Sequence, residues 1–374
     1  MAEGLGEFLP ADFAKGTFIG RALSGDGPCV IVIRGGQIYN LTSVAASVAG
    51  AIDRRAFDGG ELLGPVEGGL PAGWSLLAPT DLQCIKACGV TFALSAIERV
   101  IEERARGDAL RAAEIREALE SRVGAGIRSV VPGSAEAAAL KEALIEDGMW
   151  SQYLEVAIGP DAEVFSKSPV LSAVGTGAQI GVRSDSAWNN PEPEVVLAVD
   201  PRGEAVGAAL GNDVNLRDFE GRSALLLSKA KDNTASCAIG PFIRLFDDGF
   251  TIDDVRSANV DLRIEGTDDY VLVGSNDMGQ ISRDPLDLVA QTLSEHHYPD
   301  GFVLFCGTLF APTQDRDTPG GGFTHKVGDT VIISSRRLGR LVNNVTTSRD
   351  APPWTMGIGA FARNLASRGL IDRI

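Results

Sequence analysis

The chain has 374 residues, which suggests about two domains and leaves ample material for a buried core. Its 50 acidic side chains outnumber the 34 basic ones, so the formal net charge is −16. This charge argues against a protein that binds phosphate backbones or anionic membranes, although a local pocket can still bind a small anion. Hydrophobic residues make up 44% and charged residues 22%, which is typical of folded globular proteins rather than disordered ones.

Two further features of the composition bear on location and partners. The five cysteines are scattered and show no Cys/His metal pattern, which favours reduced thiols in a cytoplasmic protein. Aromatic residues are only 6%, which disfavours surfaces that stack single-stranded nucleic acid. No apolar run reaches the roughly 18 residues that a membrane-spanning helix needs. We therefore expect neither nucleic acid nor a membrane as a partner.

The first part of the chain is rich in strand patterns. Residues 29–42 predict a strand, a turn at Gly35–Gly36 and a second strand. We expect residues 1–80 to form a small β-rich N-terminal domain that contributes packing and contacts between subunits.

The next part is helical. Residues 81–150 are expected to hold a connecting strand and a helical insert. Apolar residues recur at mostly helical spacing over 96–123, with a candidate break at Gly107–Asp108 and stop signals at 124–126. A shorter helix is predicted at about 135–147.

From about residue 151 short apolar runs alternate with turns. One helix, beginning near Asp284–Pro285, interrupts them, because this pair suits an N-cap and a first helical turn. The strands lack the alternating helices of a doubly wound sheet. We therefore predict an α+β chain in which residues 151–374 form a mixed β-roll or sandwich and carry the functional site.

The string WNNPEPEVVLAVD, residues 188–200, places two glutamates around Pro193 at the entry to an apolar strand. Proline favours an extended Glu192, and residues i and i+2 of an extended chain face the same side, about 6.5–7 Å apart. Glu192 and Glu194 would then converge on one point. Pro193 also indicates an edge strand or an irregular strand start. The alternative is an exposed acidic loop, because a Glu-x-Glu pair alone is a weak pattern.

Two later strings could complete a metal site. Asp213 follows the apolar run VGAAL, where a strand would end, and could supply a third carboxylate. Lys229 and Lys231 precede Gly240–Pro241, which is predicted to be a turn beside the site. Either ammonium would offset excess negative charge and orient an anionic ligand, although each lysine is also consistent with an exposed surface. Ligands that are all oxygen favour magnesium, calcium or manganese over zinc.

Taken together, the strings NPEPEVVLAV, GNDVNLRD, AKDN, CGTLFAP and FTHKVGDTVIISSRRLGRLVNNV resemble the fumarylacetoacetate hydrolase superfamily in order and spacing. The resemblance covers about residues 160–345, where PDAEVFSKSP matches the family's strand before the metal site. It implies the family's mixed β-roll. The longer N-terminus, the helical insert and the EPE triplet are most similar to the branch containing 2-keto-3-deoxy-D-xylonate and -D-arabinonate dehydratases.

This resemblance implies a divalent metal, usually Mg²⁺ with Mn²⁺ as a substitute, and a small 2-keto acid as substrate. It also implies a homodimer or homotetramer. Lys231 matches the family's active-site lysine, and Thr308 matches its substrate-binding threonine. Arg217 matches an arginine that contacts substrate or supports the turn at the metal site. The implied metal ligands are Glu192, Glu194 and Asp213.

One segment departs from the hydrolase pattern. In hydrolase members a histidine and, three residues later, a glutamate activate water, whereas here Ser95 and Glu98 occupy those positions. The missing histidine argues against hydrolysis and favours elimination, which needs no nucleophilic water. Ser95 is then a candidate substrate-binding residue and Glu98 a candidate acid or base. Alternatively, or in addition, the two residues form a capping box at the start of the long helix.

The resemblance therefore implies a magnesium-dependent hydro-lyase that converts 2-keto-3-deoxy-D-pentonate to 2,5-dioxopentanoate. A proton would leave carbon 3, the metal would stabilise the enolate, and the carbon 4 hydroxyl would leave as water with help from a general acid. Lys231 and Glu98 are candidates for base and acid, in either order, and His297 is a weaker candidate for proton transfer. Two alternatives stay open: hydrolysis of a carbon–carbon bond in an acylpyruvate, and a non-catalytic scaffold stabilised by metal.

Overall fold

The computed structural model describes residues 4–112, 115, 127, 130–310 and 312–374. Within these residues most of the secondary-structure elements are short β-strands. In chain order these are β1 (Phe18–Ser24), β2 (Gly27–Arg34), β3 (Gln37–Asn40), β4 (Glu61–Pro65), β5 (Ser75–Leu77), β6 (Cys84–Gly89), β7 (Glu163–Ser168), β8 (Gln179–Val182), β9 (Asn189–Asn190), β10 (Pro193–Val199), β11 (Ala205–Asp213), β12 (Asn215–Leu216), β13 (Cys237–Leu245), β14 (Asn259–Glu265), β15 (Val271–Asp277), β16 (Phe302–Phe305), β17 (Thr330–Ser335) and β18 (Gly339–Thr347).

The α-helices of the same residues are also short. They are α1 (Val48–Asp53), α2 (Ala93–Ala105), α3 (Ala135–Glu146), α4 (Gln152–Ile158), α5 (Arg217–Glu220), α6 (Leu227–Lys231), α7 (Ile252–Arg256), α8 (Pro285–Leu293) and α9 (Ile358–Ser367). None of these helices combines the length and the apolar character that crossing a bilayer would require.

The strands form a large sheet, a smaller sheet and a two-stranded ribbon. The large sheet has eleven strands in the order β4-β3-β2-β1-β13-β11-β10-β16-β6-β7, with β5 paired to β1. The smaller sheet has the order β15-β14-β17-β18-β8, and the ribbon joins β12 to β9. Antiparallel pairs dominate, but β16 pairs with β6 and β18 with β8 in parallel. This mixed pairing confirms the predicted α+β class.

The N-terminal strands extend the large sheet. β1 pairs with β13 through Phe18 with Arg244 and Ile19 with Ile243. β2 and β3 form the predicted hairpin, and the turn between them places Gly35 and Gly36 at positive φ, which glycine adopts without strain. The division of the chain at residue 80 stays a prediction.

Strand β10 lies inside the large sheet, between β11 and β16, and all seven of its residues are buried. Val195 and Leu197 face the core shared with the smaller sheet, whereas Val196 and Ala198 face the core on the opposite side. Because both faces are covered, the strand is a continuous apolar run. Pro193 is its first residue, a position that proline tolerates within a sheet, and the pairing with β11 is regular from there to Ala198. The expectation of an edge strand or an irregular start is therefore wrong.

Gly240–Pro241 lies inside β13, so the prediction of a turn at this position is wrong. The pairing of β11 with β13 shifts register between Ala208 and Leu210, opposite the proline, which cannot donate a ladder hydrogen bond. A local irregularity of the sheet thus accommodates a dipeptide that usually indicates a turn.

The helices agree in part with the predictions. α2 ends at Ala105, and Arg106 and Gly107 both have positive φ, which confirms the break at Gly107–Asp108. α3 confirms the helix predicted at 135–147, and α8 begins after the predicted N-cap Asp284. The stop signals at 124–126 and most of 113–123 lie outside the described residues. The expectation of a single helix after residue 151 is wrong, because α4–α7 are too short to show helical periodicity and α9 lies near the C-terminus.

A buried group of charges fixes the loop before β17. Arg316, with a side chain 1% exposed, donates from Nη1 and Nη2 to the carboxylate of Asp329 at 2.6 and 2.8 Å. Burial alone would raise the pKa of Asp329, but hydrogen bonds from Arg316 and His325 outweigh burial and hold it at about 2. A carboxylate with a depressed folded-state pKa stabilises the fold above its unfolded pKa near 4, and this stability is lost as the pH falls towards 2.

We expect Asp329→Asn to lower the free energy of unfolding at pH 7 by about 3 kcal/mol, because it removes one partner of a buried ion pair. The difference from wild type should shrink below pH 4, where the wild-type protein itself loses this contribution. Urea unfolding at pH 7 and pH 3 checks this, with Asp261→Asn on the exposed face of β14 as the control. An equal deficit at both pH values would contradict the assignment.

Candidate metal centre and active site

The ends of five neighbouring strands of the large sheet meet around one pocket. They are the ends of β6, β11 and β16 and the starts of β7 and β10. Antiparallel pairing of β10 with β11 sets Pro193 opposite Asn212, so the start of one strand lies beside the end of the other. Helix α2 covers the pocket and contributes Ser95, Glu98, Arg99 and Glu102 to its wall.

The three predicted metal ligands lie together in this pocket. Glu192, Glu194 and Asp213 each offer one carboxylate oxygen, and the three oxygens lie within 4.8 Å of one another. Backbone bonds fix this arrangement: the Asp213 N–H donates to the Glu192 carbonyl oxygen at 3.1 Å, and the Glu192 N–H donates to the side chain of Asn212 at 3.1 Å. All three carboxylates are buried, so the alternative of an exposed acidic loop is wrong.

The three carboxylates of the triad are buried next to one another, so a bound cation would stabilise their charged forms. Burial raises the pKa of Glu194 well above its ordinary value, and the charges of Asp213 and Glu192 raise it further. The Gly307 N–H donates to Glu194 at 2.6 Å. Burial alone would raise the pKa of Asp213. The ammonium groups of Lys167 and Lys231 outweigh burial and hold that pKa below its usual value.

Two buried lysines neutralise part of the triad. Lys231, at the end of α6, donates from Nζ to Glu192 Oε2 at 2.5 Å and to Asp213 Oδ2 at 3.1 Å. Burial would lower its pKa, but Asp213, Glu192 and Glu220 together raise it above the ordinary lysine value. Lys167 on β7 is fully buried and lies 2.7 Å from Asp213 Oδ1. Lys229, the other lysine considered from sequence, is exposed and does not line the pocket.

Arg99 of α2 joins the helix to the triad. Its Nη2 donates to Glu192 Oε1 at 2.6 Å. Its Nη1 lies 2.7 Å from Glu102 Oε2 and 2.7 Å from Glu220 Oε2. Sequence reasoning missed both Arg99 and Glu220. In the sequence, Arg99 looks like an ordinary surface partner of Glu102, which lies three residues further along the same helix.

The structure corrects the capping box predicted for Ser95 and Glu98. Helix α2 begins three residues earlier than that box requires, so Ser95 lies in its first turn. The Ser95 hydroxyl accepts from the Phe92 N–H at 3.3 Å and donates to the Phe92 carbonyl at 2.8 Å. Glu98 instead accepts from Arg217 Nη2 at 3.0 Å. Arg217 also donates to Glu102 at 2.6 Å, so it binds the helix rather than Asp213.

Glu163, the first residue of β7, is a pocket residue that sequence reasoning missed. Burial raises its pKa to about 7, with a further contribution from the Glu220 carboxylate. Gly89 at the end of β6 lies directly against the Glu163 carboxylate, and a side chain on Gly89 would occupy that space. The string PDAEVFSKSP located this strand, but nothing in it distinguished Glu163 from other acidic residues.

Thr308 lies in the pocket wall directly after Gly307, as the resemblance implies, and its hydroxyl accepts the Phe310 N–H at 3.1 Å. None of the three histidines lines the pocket. His296 and His297 are exposed, so His297 is not placed for proton transfer. His325 is buried beside Asp329, outside the pocket.

The pocket residues fit a divalent cation. Seven acidic and three basic side chains line the pocket. Lys167 lies behind the lining and contacts Asp213, and when it is counted as a fourth basic group the acidic side chains still outnumber the basic ones by three. The donor atoms at the triad are all oxygen, which suits Mg²⁺ or Mn²⁺ better than zinc.

Comparisons with known proteins identify the family. Residues 151–346, just over half of the chain, match the family described as fumarylacetoacetate (FAA) hydrolase C-terminal. A 202-residue stretch is 32% identical to a probable 2-keto-3-deoxyxylonate dehydratase of Haloferax volcanii, covering 54% of this chain and 66% of that protein. A 187-residue stretch is 30% identical to 2-dehydro-3-deoxy-D-arabinonate dehydratase of Saccharolobus solfataricus, covering 50% and 59%. The matched stretches thus span less than two thirds of either relative.

A solved structure shares the fold. It is 2-keto-3-deoxy-D-arabinonate dehydratase complexed with magnesium and 2,5-dioxopentanoate, which matches with a TM-score of 0.64 at 20% identity and covers 88% of this chain and 99% of that one. At this identity the likeness concerns the fold, and it confirms the predicted architecture. With over half of its length matched by the family and the acidic triad inside that stretch, the chain belongs to the fumarylacetoacetate hydrolase family.

Proposed function

We propose that the protein is a magnesium-dependent dehydratase that converts 2-keto-3-deoxy-D-pentonate to 2,5-dioxopentanoate and water. The observation that carries the proposal is the buried triad of Glu192, Glu194 and Asp213 with Lys231 and Glu163 in the same pocket. The names of the relatives from Haloferax volcanii and Saccharolobus solfataricus support this substrate class.

The proposed metal ligands are Glu192, Glu194 and Asp213, with Mn²⁺ as a substitute for Mg²⁺. The bound cation would polarise the 2-oxo group and stabilise the negative charge that develops when carbon 3 loses a proton. Lys231 and Thr308 both line the pocket and would bind the substrate carboxylate and the developing enolate oxygen.

Two carboxyl groups are candidates for proton transfer. Glu163 has a pKa of about 7, so it can both accept and donate a proton near neutral pH. Glu98 is the second candidate, because it lines the pocket and lies 3.0 Å from Arg217 Nη2. We propose that Glu163 protonates the departing carbon 4 hydroxyl and that Glu98 removes the proton from carbon 3. Lys231 does not suit the role of base, because Asp213, Glu192 and Glu220 outweigh burial, raise its pKa and keep it protonated.

Hydrolysis of an acylpyruvate fits the pocket less well. Such a reaction needs a group that activates water, and histidine is absent from the pocket wall among the described residues. Ser95, at the corresponding position, exchanges both of its hydrogen bonds with the backbone of Phe92.

All five cysteines are unpaired, which supports the proposed cytoplasmic location. Assembly as a homodimer or homotetramer stays a prediction.

The direct test of function is incubation of the full chain with 2-keto-3-deoxy-D-pentonate and Mg²⁺. We expect one equivalent of 2,5-dioxopentanoate, detected as an aldehyde, and no product when a chelator is in excess. Absence of turnover with Mg²⁺ present, or release of pyruvate from an acylpyruvate instead, would contradict the proposal.

Replacing Glu163 with glutamine should lower turnover by about 10²- to 10⁴-fold, the usual contribution of a positioned acid or base. Mg²⁺ affinity should stay near wild type, because Glu163 is not one of the proposed ligands. Calorimetric Mg²⁺ titration and an aldehyde assay check both parts, with Glu146→Gln at the exposed end of α3 as a control. Normal turnover in Glu163→Gln together with loss of turnover in Glu98→Gln would assign the general acid to Glu98 instead.

A further inference from the structure

Arg99 connects the covering helix α2 directly to one of the proposed metal ligands. The two oxygens of Glu192 have different partners: Oε1 accepts from Arg99 at 2.6 Å, and Oε2 accepts from Lys231 at 2.5 Å. Lys231 also donates to Asp213 Oδ2, so Oε2 of Glu192 shares its donor with another member of the triad. Arg99 bonds the other oxygen of Glu192, Oε1.

The guanidinium group of Arg99 is itself fixed in place. Its Nη1 is shared between Glu102 on α2 and Glu220 on α5, at 2.7 Å each, while Nη2 serves Glu192. The Arg99 side chain is 13% exposed, and its three partner carboxylates are between 3% and 6% exposed. A planar fork of donors can bridge three carboxylates in fixed directions, which a lysine ammonium on a flexible stem does not do.

We propose that Arg99 is a positioning residue for the metal: it fixes the rotation of the Glu192 carboxylate so that Oε2 is presented to the cation. This inference rests on the proposed metal site. Groups that orient a ligand typically change metal affinity by about 10- to 100-fold when they are removed. The same contact makes the position of α2 part of the metal site, because the helix carries Arg99.

An alternative explanation is that Arg99 acts only through its positive charge. The two explanations predict opposite results. A cation beside the site repels a metal ion, so removing that charge would strengthen metal binding. Removing the orientation of Glu192 would instead weaken it, even when the charge is kept.

The test measures Mn²⁺ binding to the full chain through the electron paramagnetic resonance signal of free Mn²⁺, and it needs no turnover. The variants are Arg99→Lys, which keeps the charge, and Arg99→Gln, which removes it. Matched controls are Arg104→Lys and Arg104→Gln on the same helix, where the guanidinium contacts the sulfur of Met149 at 3.8 Å. Melting temperature without metal, from circular dichroism, establishes that each variant is folded.

We expect both Arg99 variants to bind Mn²⁺ about 10- to 100-fold more weakly than wild type, with the Arg104 variants unchanged. Unchanged binding in Arg99→Lys with tighter binding in Arg99→Gln would overturn the inference. If Arg99→Gln does not fold, Arg99→Lys decides alone: a loss of fivefold or more supports the role and a smaller loss overturns it. A wild-type protein that binds no Mn²⁺ would overturn the proposed metal-dependent function itself, and the role of Arg99 with it.

Discussion

Replacing Glu194 with glutamine is expected to weaken Mg²⁺ binding by about 100-fold or more and to abolish dehydration. Removal of a group that merely orients a ligand already costs 10- to 100-fold in metal affinity, so removal of a ligand charge should cost at least as much. The fold should survive, because the glutamine oxygen can still accept the Gly307 N–H that now bonds the carboxylate.

The same substitution should leave the melting temperature without metal unchanged or higher. Glu194 is buried beside Asp213 and Glu192, and their repulsion is reflected in its raised pKa. Thermal unfolding with and without Mg²⁺, together with a calorimetric titration, separates the two effects. Glu265→Gln, on the exposed face of β14, is the control. If Mg²⁺ raises the melting temperature of Glu194→Gln as much as that of wild type, Glu194 is not a ligand.

The second large effect is expected for Lys231→Met. We expect turnover to fall by about 10³-fold, within the range seen when a donor that stabilises an oxyanion is removed. Glu192 and Asp213 would also lose the ammonium that they share. Breaking a buried ion pair in this way lowers the free energy of unfolding by about 3 kcal/mol.

Magnesium should return part of that stability, because a divalent cation can replace the missing charge. Urea unfolding of the variant with and without Mg²⁺ measures this. Lys229→Met is the matched control, because Lys229 lies on the same short helix and is exposed. Wild-type turnover in Lys231→Met would remove Lys231 from the active site. Equal stability of the variant and the wild-type protein without metal would show that the ammonium does not stabilise the carboxylates.

The ligands could be predicted from the sequence because their pattern is local. Glu192 and Glu194 are two residues apart at a strand start, and Asp213 ends the next strand, so antiparallel pairing brings them together. Arg99 and Lys167 could not be predicted in the same way. Their partners Glu192 and Asp213 lie 93 and 46 residues away, and the contacts depend on how α2 and β7 pack against the strand ends.

The errors have related physical causes. Gly240–Pro241 is a frequent turn dipeptide, yet here a register shift in the neighbouring strand accommodates it inside β13. The capping box at Ser95 and Glu98 is a valid local pattern, but tertiary contacts start the helix at Ala93 and draw Glu98 to Arg217. In both cases long-range packing overrides a preference that is real in a short segment.

The pairing of β1 with β13 has a consequence for dividing the protein into fragments. The stretch that matches the family, residues 151–346, contains β13 and β16 but lacks their neighbours β1 and β6. Expressed alone, it would expose two strands that are interior in the intact sheet, and open edges of this kind pair with other chains and aggregate. We therefore expect that residues 151–346 cannot be moved into another protein by themselves, and that an engineered version should retain the N-terminal strands.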